Sequence, residues 1–236
     1  MNYVTAEQLA FVAGLLADRT RAAICLALLD GRAWTVSELA RHARVAPSTA
    51  SEHVTRLVNG GILIAEHQGR HRYVRLADSG VAQLVEDLGA LTGPPSAGVR
   101  SLRAVRAAGA LARARTCYDH LAGRLGVEVT EAMTRAGLLD QAGGFALTPA
   151  GLGWLADSLD VDVAALTAAR RPIARSCLDW TERRPHLGGG AGAAVCTAFF
   201  ARGWIARTAG TRAVVVTASG ELALRQLCGI NLDSVA

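Results

Sequence analysis

The 236-residue sequence contains no lysine: all 25 of its basic residues are arginine. Together with abundant Ala and 25 Gly, this is the mark of a GC-rich coding bias, so the arginine preference is not read as selection for forked contacts. No apolar stretch reaches the length of a membrane span, because Arg, Asp or Gly interrupts each one. The start, Met1-Asn2-Tyr3-Val4-Thr5-Ala6-Glu7, lacks the basic and apolar segments of a secretion signal. Both absences point to a cytoplasmic protein with no membrane partner. No CxxC pair occurs, and the five cysteines (Cys25, Cys117, Cys177, Cys196, Cys228) are odd in number and far apart, which argues against a disulfide framework. Absent too are HExxH, a nucleophile elbow, a dinucleotide fingerprint and the GK[ST] ending of a P-loop, so no enzyme signature is present.

A hydrophobic content of 51% against 19% charged residues describes an ordered globular chain. The formal charge of +5 is not where a polyanion partner would place it. Residues 1–92 hold nine Arg against nine acids and are neutral, so the excess lies in the C-terminal part.

The periodicity predicts a helix over residues 6–17, then a second capped by Asp18, from Arg19 to Leu29, closed by Asp30-Gly31. Thr35 and Glu38 form a capping box for a short third helix to about His42. Pro47 opens a fourth helix that runs to Asn59, ended by Gly60-Gly61. Residues 62–67 and 71–76 alternate as a two-stranded hairpin about Gln68-Gly69-Arg70, and Asp78 or Ser79 starts a fifth helix to about Ala90. The stretch Thr92-Gly93-Pro94-Pro95-Ser96-Ala97-Gly98 reads as a linker. The expected domains are therefore 1–92, a linker at 93–98, and 99–236, with a long helix over roughly Val99 to Leu125.

A weak internal repeat runs through the second part. Ala136-Gly137-Leu138-Leu139, Phe145 to Gly151 and a following helix match Arg202-Gly203-Trp204-Ile205, Val214 to Gly220 and a helix to about Cys228. The segment from Gly60 to Gly80 has the same grammar of helix, Gly, short hairpin and capped helix. The expected fold class is mainly α with small β-hairpins: an N-terminal winged helix-turn-helix and a C-terminal domain of winged-helix-like repeats.

The third and fourth helices have the spacing of a helix-turn-helix, whose second helix reads the major groove of double-stranded DNA. Its N-terminal face carries Ser48, Thr49, Ser51, Glu52, His53, Thr55 and Arg56, opposite a core stripe of Ala50, Val54, Leu57 and Val58. Short hydroxyls near a helix start suit phosphate or base edges. The hairpin brings Arg70, His71 and Arg72 where a wing reaches the backbone or minor groove. The ordered set Val45 to His53, Leu57, Gly60-Gly61-Ile62-Leu63 and Gly69 to Leu76 resembles the recognition helix and wing of the ArsR/SmtB regulators over residues 5–90. That resemblance implies a homodimer built through the first and fifth helices, and a repressor released from its promoter by an effector. The usual metal sites of such proteins are absent: Val36-Ser37-Glu38-Leu39-Ala40 has no cysteine, and residues 78–90 have no histidine.

An effector is therefore sought in the second half. Cys117 and His120, spaced i, i+3 in the expected helix, share a face. Cys177 and His186, the latter at a helix end, complete a four-ligand candidate for zinc or another thiophilic ion, with Asp119 and Asp179 behind them. The alternatives stay open: thiol oxidation beside Arg, an organic ligand, or plain core packing. In the packing reading Cys117 lies in a stripe with Ala110, Ala114, Leu121 and Leu125, and Cys177 in one with Ile173 and Trp180. An enzyme domain tethered to a winged helix is the rival from another class. Cys25, Cys196 and Cys228 read as packing in apolar helices. Arg100, Arg103 and Arg106 form a basic face that suits solvent or DNA phosphates, and Gly188 to Ala194 suits close helix packing or an anion.

Overall fold

The structure is a computed structural model that describes residues 4–68, 71–91, 102–142, 144–209 and 211–229, with backbone alone at 71, 102–105 and 228. It divides into two compact units, Met1–Val85 and Glu86–Ala236. The expected linker at 93–98 lies outside the described residues, as does Arg70 of the wing tip.

The first unit begins with α1 (Ala6–Leu16), where Thr5 and Gln8 cap one another. Asp18 accepts the Arg21 amide and starts α2 (Arg19–Leu28). The Thr35–Glu38 box forms as expected and starts α3 (Val36–Ala43), which ends at Arg44 in the left-handed region (φ 57°). Pro47, whose missing N–H is harmless in a first turn, opens α4 (Pro47–Asn59). The wing pairs β2 (Leu63–Gln68) with β3 (His71–Leu76), antiparallel. A two-residue strand that the periodicity does not announce, β1 (Trp34–Thr35), lies on the other side of β3. Ile24, Leu28, Leu39, Ala50, Val54, Leu57, Leu63, Val74 and Leu76 form the buried core, so α4 turns its apolar stripe inward and its hydroxyl face outward. Helix α5 (Ser79–Leu91), capped by Asp78, starts in this unit and ends in the second.

The second unit corrects the long helix expected over 99–125. Helix α6 (Leu102–Arg113) stops, and a hairpin of β4 (Arg115–Cys117) and β5 (His120–Ala122) follows before α7 (Gly123–Arg135). A two-residue turn with Tyr118 at φ 58° closes this hairpin. The expected short hairpins are present as β6 (Leu139–Asp140) with β7 (Ala146–Leu147), leading to α8 (Pro149–Leu159). After α9 (Val163–Ala168) come β8 (Arg175–Leu178), β9 (Pro185–Gly188) and α10 (Gly189–Ala201). Then β10 (Ile205–Arg207), β11 (Val214–Val216) and α11 (Ala218–Cys228) close the unit.

The unit is thus two copies of one motif: hairpin, helix, hairpin, capped helix. Sequence agrees at the first hairpin of each copy: Arg115-Thr116-Cys117-Tyr118-Asp119, then His120-Leu121-Ala122-Gly123, against Arg175-Ser176-Cys177-Leu178-Asp179, then His186-Leu187-Gly188-Gly189. Gly123 and Gly189 both take positive φ (73° and 79°), and a Cβ on either would meet a backbone carbonyl oxygen within 2.8 Å. Only glycine turns the chain from strand into helix there. The second caps match too, with Thr148 and Thr217 each accepting an amide three residues on. Leu121, Leu125, Val129, Met133, Leu155, Leu187, Val195, Phe199, Val214 and Leu224 belong to one shared core, so neither copy buries its apolar face alone.

Candidate DNA interface and metal centre

In the first unit Ser48, Glu52, Thr55 and Arg56 are exposed on α4, and Thr49 and Ser51 are half-buried. Arg72 on β3 donates from Nη1 to Thr55 Oγ1 at 3.3 Å, tying wing to helix. His53 turns aside: its Nδ1 lies 3.6 Å from the Asp18 carboxylate that caps α2. The His71 side chain and all of Arg70 lie outside the described residues. So do Arg100 and the Arg103 side chain of the proposed basic face, of which Arg106 is exposed.

In the second unit the four candidate ligands meet. The ligand atoms of Cys117, His120, Cys177 and His186 lie within 4.8 Å of one another, and all four residues are buried. The route differs from the expected one. Cys117 and His120 are not helical neighbours but cross-strand partners on β4 and β5. Cys177 and His186 likewise face one another across β8 and β9, so the helical stripe with Ile173 and Trp180 and the helix end at His186 do not form. Each copy of the motif supplies one thiol and one imidazole. The apolar-stripe reading of Cys117 fails for the same reason, whereas Cys25 and Cys196 are buried in α2 and α10 as expected. The Cys228 side chain lies outside the described residues.

The separations decide what the cluster can hold. The two Sγ atoms are 3.9 Å apart and the two Nε2 atoms 3.2 Å apart. A tetrahedral ion with bonds of about 2.3 Å to sulfur and about 2.0 Å to nitrogen has S···S edges of about 3.8 Å and N···N edges of about 3.3 Å. Both edges fit. Two soft thiolates with two imidazoles are the donor set of zinc and its thiophilic relatives.

The surroundings orient these donors. Asp119 Oδ1 lies 3.2 Å from His120 Nδ1, which leaves Nε2 pointing inward. Asp179 stands behind His186 Nδ1 at 3.7 Å, beyond hydrogen-bond reach. Asp179 is itself fully buried, accepting from Arg115 Nη2 (2.8 Å), the Gly123 amide (2.6 Å) and Thr181. Burial raises its pKa, but Arg115 and the donors outweigh it and hold the carboxyl down at about 2. Asp119 is also held low: burial opposes this, while His120 and Arg171 favour the charge. Burial pushes His120 down, yet its bonds to Asp119 and to Cys177 win and lift it to about 9. In the thiol pair, the hydrogen bond with Cys177 and burial raise the Cys117 thiol well above the usual range. The bond to Cys117 and the two facing imidazoles push Cys177 the other way, below its usual range, against the penalty of burial.

What the sequence reasoning missed here was the doubled signature Arg-[Ser/Thr]-Cys-x-Asp with His-Leu-[Ala/Gly]-Gly, visible at 115–123 and 175–189. It places the four ligands in equivalent positions without any structure. The glycine-rich stretch 188–194 serves close packing: a Cβ on Gly192 would lie 2.2 Å from the Leu187 carbonyl oxygen and 3.1 Å from His120 Cβ.

Residues 16–64 match the family model described as a helix-turn-helix domain. Over 225 residues, 95% of this chain and 98% of the relative, the sequence is 37% identical to YdfF, an uncharacterized HTH-type transcriptional regulator of Bacillus subtilis. It is 38% identical over 73 residues, 31% of this chain and 61% of the relative, to the HTH-type transcriptional regulator CmtR of Mycobacterium tuberculosis. The solution structure of that cadmium sensor covers 40% of this chain and 99% of its own, with 32% identity and a TM-score of 0.30. Among the described residues no helix is long and apolar enough to cross a membrane. The full-length likeness to YdfF decides the family: this chain belongs to the HTH-type transcriptional regulators, with its helix-turn-helix at residues 16–64.

Proposed function

We propose that the chain is a homodimeric repressor whose DNA affinity is set by a thiophilic divalent ion, zinc or a soft relative, bound by Cys117, His120, Cys177 and His186. The carrying observation is the buried S2N2 cluster with separations of 3.9 Å and 3.2 Å, drawn from two equivalent hairpins. A cluster that merely packed would not need both imidazole Nε2 atoms turned toward one another, with His120 held in that orientation by Asp119. Ser48, Thr49, Ser51, Glu52, Thr55 and Arg56 read the bases, while Arg70, His71 and Arg72 hold the backbone. His53, turned toward Asp18, supports α4 instead. The dimer uses α1, which buries none of its residues within the chain and leaves Leu9 and Phe11 exposed, and α5, which exposes Leu88 and Leu91. The functional domains are 1–92 and 99–236, joined at 93–98.

The test is elemental analysis of anaerobically purified chain, followed by DNA binding to the region upstream of its own gene with and without added Zn(II). One ion per chain, absent from a Cys117→Ser/Cys177→Ser double variant, together with weaker DNA binding when the ion is present, supports the reading. A metal-free chain whose DNA binding ignores Zn(II) defeats it and leaves an organic effector to be sought.

A second reading rests on the 3.9 Å between the two sulfurs. Hydrogen peroxide can join Cys117 and Cys177, taking two electrons and two protons from the thiol pair and leaving as two waters. Peroxide-dependent release from DNA without any metal response would favour it.

A further inference from the structure

The strand that carries Cys117 does not end its hydrogen bonding at its own hairpin. On the edge of β4 away from β5, the Thr116 amide donates to the Arg212 carbonyl at 2.9 Å, and the Val214 amide donates to the Ala114 carbonyl at 3.0 Å. Arg115 and Ala213 pair as an antiparallel bridge. The segment leading into β11 is therefore fastened to the metal-ligand strand by backbone. Its Arg212 side chain pairs with Glu86 on α5. Glu86 is 4% exposed, a carboxylate that burial penalises strongly unless a cation stays with it.

We infer that the bonded segment from Cys117 through Thr116 to Arg212, and the Arg212–Glu86 ion pair, form the relay by which the metal centre biases α5. Arg212 is a positioning residue in this relay and touches no ligand atom. The inference rests on the metal-responsive reading above. The physical case is direct. Ligation fixes the Cys117 sulfur relative to the other three donors and so fixes β4. The Arg212 backbone is held to β4, and its guanidinium cannot leave Glu86 without exposing a buried charge to an apolar surrounding. Any displacement of β4 must then either move α5 or break the pair. Helix α5 is continuous from Ser79 to Leu91, beginning in the DNA-binding unit. The duplication thus supplies the site, and the hairpin of β10 and β11 supplies the connection.

The experiment compares wild type, R212A, R212K and the isosteric E86Q. Each is measured for cobalt(II) binding by absorption, for thermal unfolding, and for DNA affinity with and without Zn(II). In the wild type Zn(II) should change DNA affinity by about tenfold or more, the ordinary scale of such coupling. R212A and E86Q should bind cobalt(II) within about threefold of wild type, yet show a Zn(II)-dependent change in DNA affinity below about twofold. R212K, which keeps a cation beside Glu86, should recover part of the response. A full response in folded R212A and E86Q overturns the relay alone. Loss of cobalt(II) binding in either also overturns it, because these residues would then build the site. A wild type that binds cobalt(II) but shows no Zn(II) response of its DNA affinity removes the sensor reading and the relay with it. A wild type that binds no metal removes the centre itself.

Discussion

The Nε2 atoms of His120 and His186 face each other at 3.2 Å, although 66 residues separate them in the chain. Their rings stack with centroids 5.1 Å apart, and both are buried. Two imidazole nitrogens at this distance share one proton or one metal; both cannot keep a proton between them. A bound divalent ion would relieve the contact and stabilise the folded chain by mass action. Chelation should therefore lower the unfolding midpoint, and one equivalent of Zn(II) should restore it. A hundredfold excess of free ion over its dissociation constant is worth about 2.7 kcal/mol. An unfolding midpoint indifferent to both treatments would argue that the imidazoles are simply packed.

Asp119 and Asp179 stand in equivalent places but should respond differently to loss of charge. Asp119 is partly exposed and pairs with an equally accessible Arg171, so its neutralisation costs little stability. In Asp119→Asn the imidazole of His120 loses its orienting carboxylate, and metal affinity should fall by about 10- to 100-fold. Competition titration against a chromophoric chelator measures this directly. An unchanged affinity would show that the carboxylate orients nothing.

Asp179→Asn should instead be a folding defect. Arg115 is 0% exposed, lies over the Trp180 ring at 4.7 Å and has Asp179 as its counter-charge. Removing one partner of such a pair leaves a buried charge and costs about 3–5 kcal/mol. Urea unfolding of the chelator-treated chain reads the loss without metal affinity entering. A variant within about 1 kcal/mol of wild type, the scale of an exposed pair, would contradict the assignment.

Gly126 and Gly192 occupy the same position in the two copies, where each helix passes over its own hairpin. A Cβ would come within 2.4 Å of the Leu121 oxygen at one and 2.2 Å of the Leu187 oxygen at the other. Backbone cannot yield as a flexible side chain can, so either Gly→Ala change should destabilise by about 1–3 kcal/mol. Gly14, in α1 with nothing within 4 Å, is the internal control. There alanine should stabilise by about 0.5–1 kcal/mol. Equal effects at all three positions would mean that the close approach is not structural.

The first unit was legible because its signals are local. Asp18, the Thr35–Glu38 box and Pro47 mark helix starts by chemistry within four residues, and Ala50, Val54 and Leu57 mark the buried face by period. The second unit misled at 99–125 because Ala110, Ala114, Leu121 and Leu125 keep a helical spacing across the break at Arg113. The turn at Tyr118 has no turn residue of the usual kind, and Gly123, at φ 73° where the strand meets the next helix, is weak punctuation on its own. Cys117 and His120 were picked out by spacing that suits a helix, yet they meet across a two-residue turn. The pairing with Cys177 and His186 was reached through donor chemistry, and the repeat that enforces it shows only when 115–123 is set against 175–189. The Arg212–Glu86 contact, 126 residues apart in sequence, has no local signature at all.

The DNA face yields the remaining prediction. Arg72 lies on β3 with Nη1 on Thr55 Oγ1, tying the wing to α4, and in the proposed role its cation would meet backbone phosphate whatever the sequence. Arg72→Ala should weaken binding to specific and random duplexes alike and reduce the slope of log affinity against log salt by about one. Arg56, exposed on α4, and Ser51, half-buried beside it, are the residues proposed to read base edges. Arg56→Ala and Ser51→Ala should cost about 1–3 kcal/mol on the preferred site and much less on random DNA. Anisotropy titrations at several salt concentrations separate the two patterns. If all three variants lose affinity equally on both kinds of duplex, α4 holds the backbone and the bases are read elsewhere.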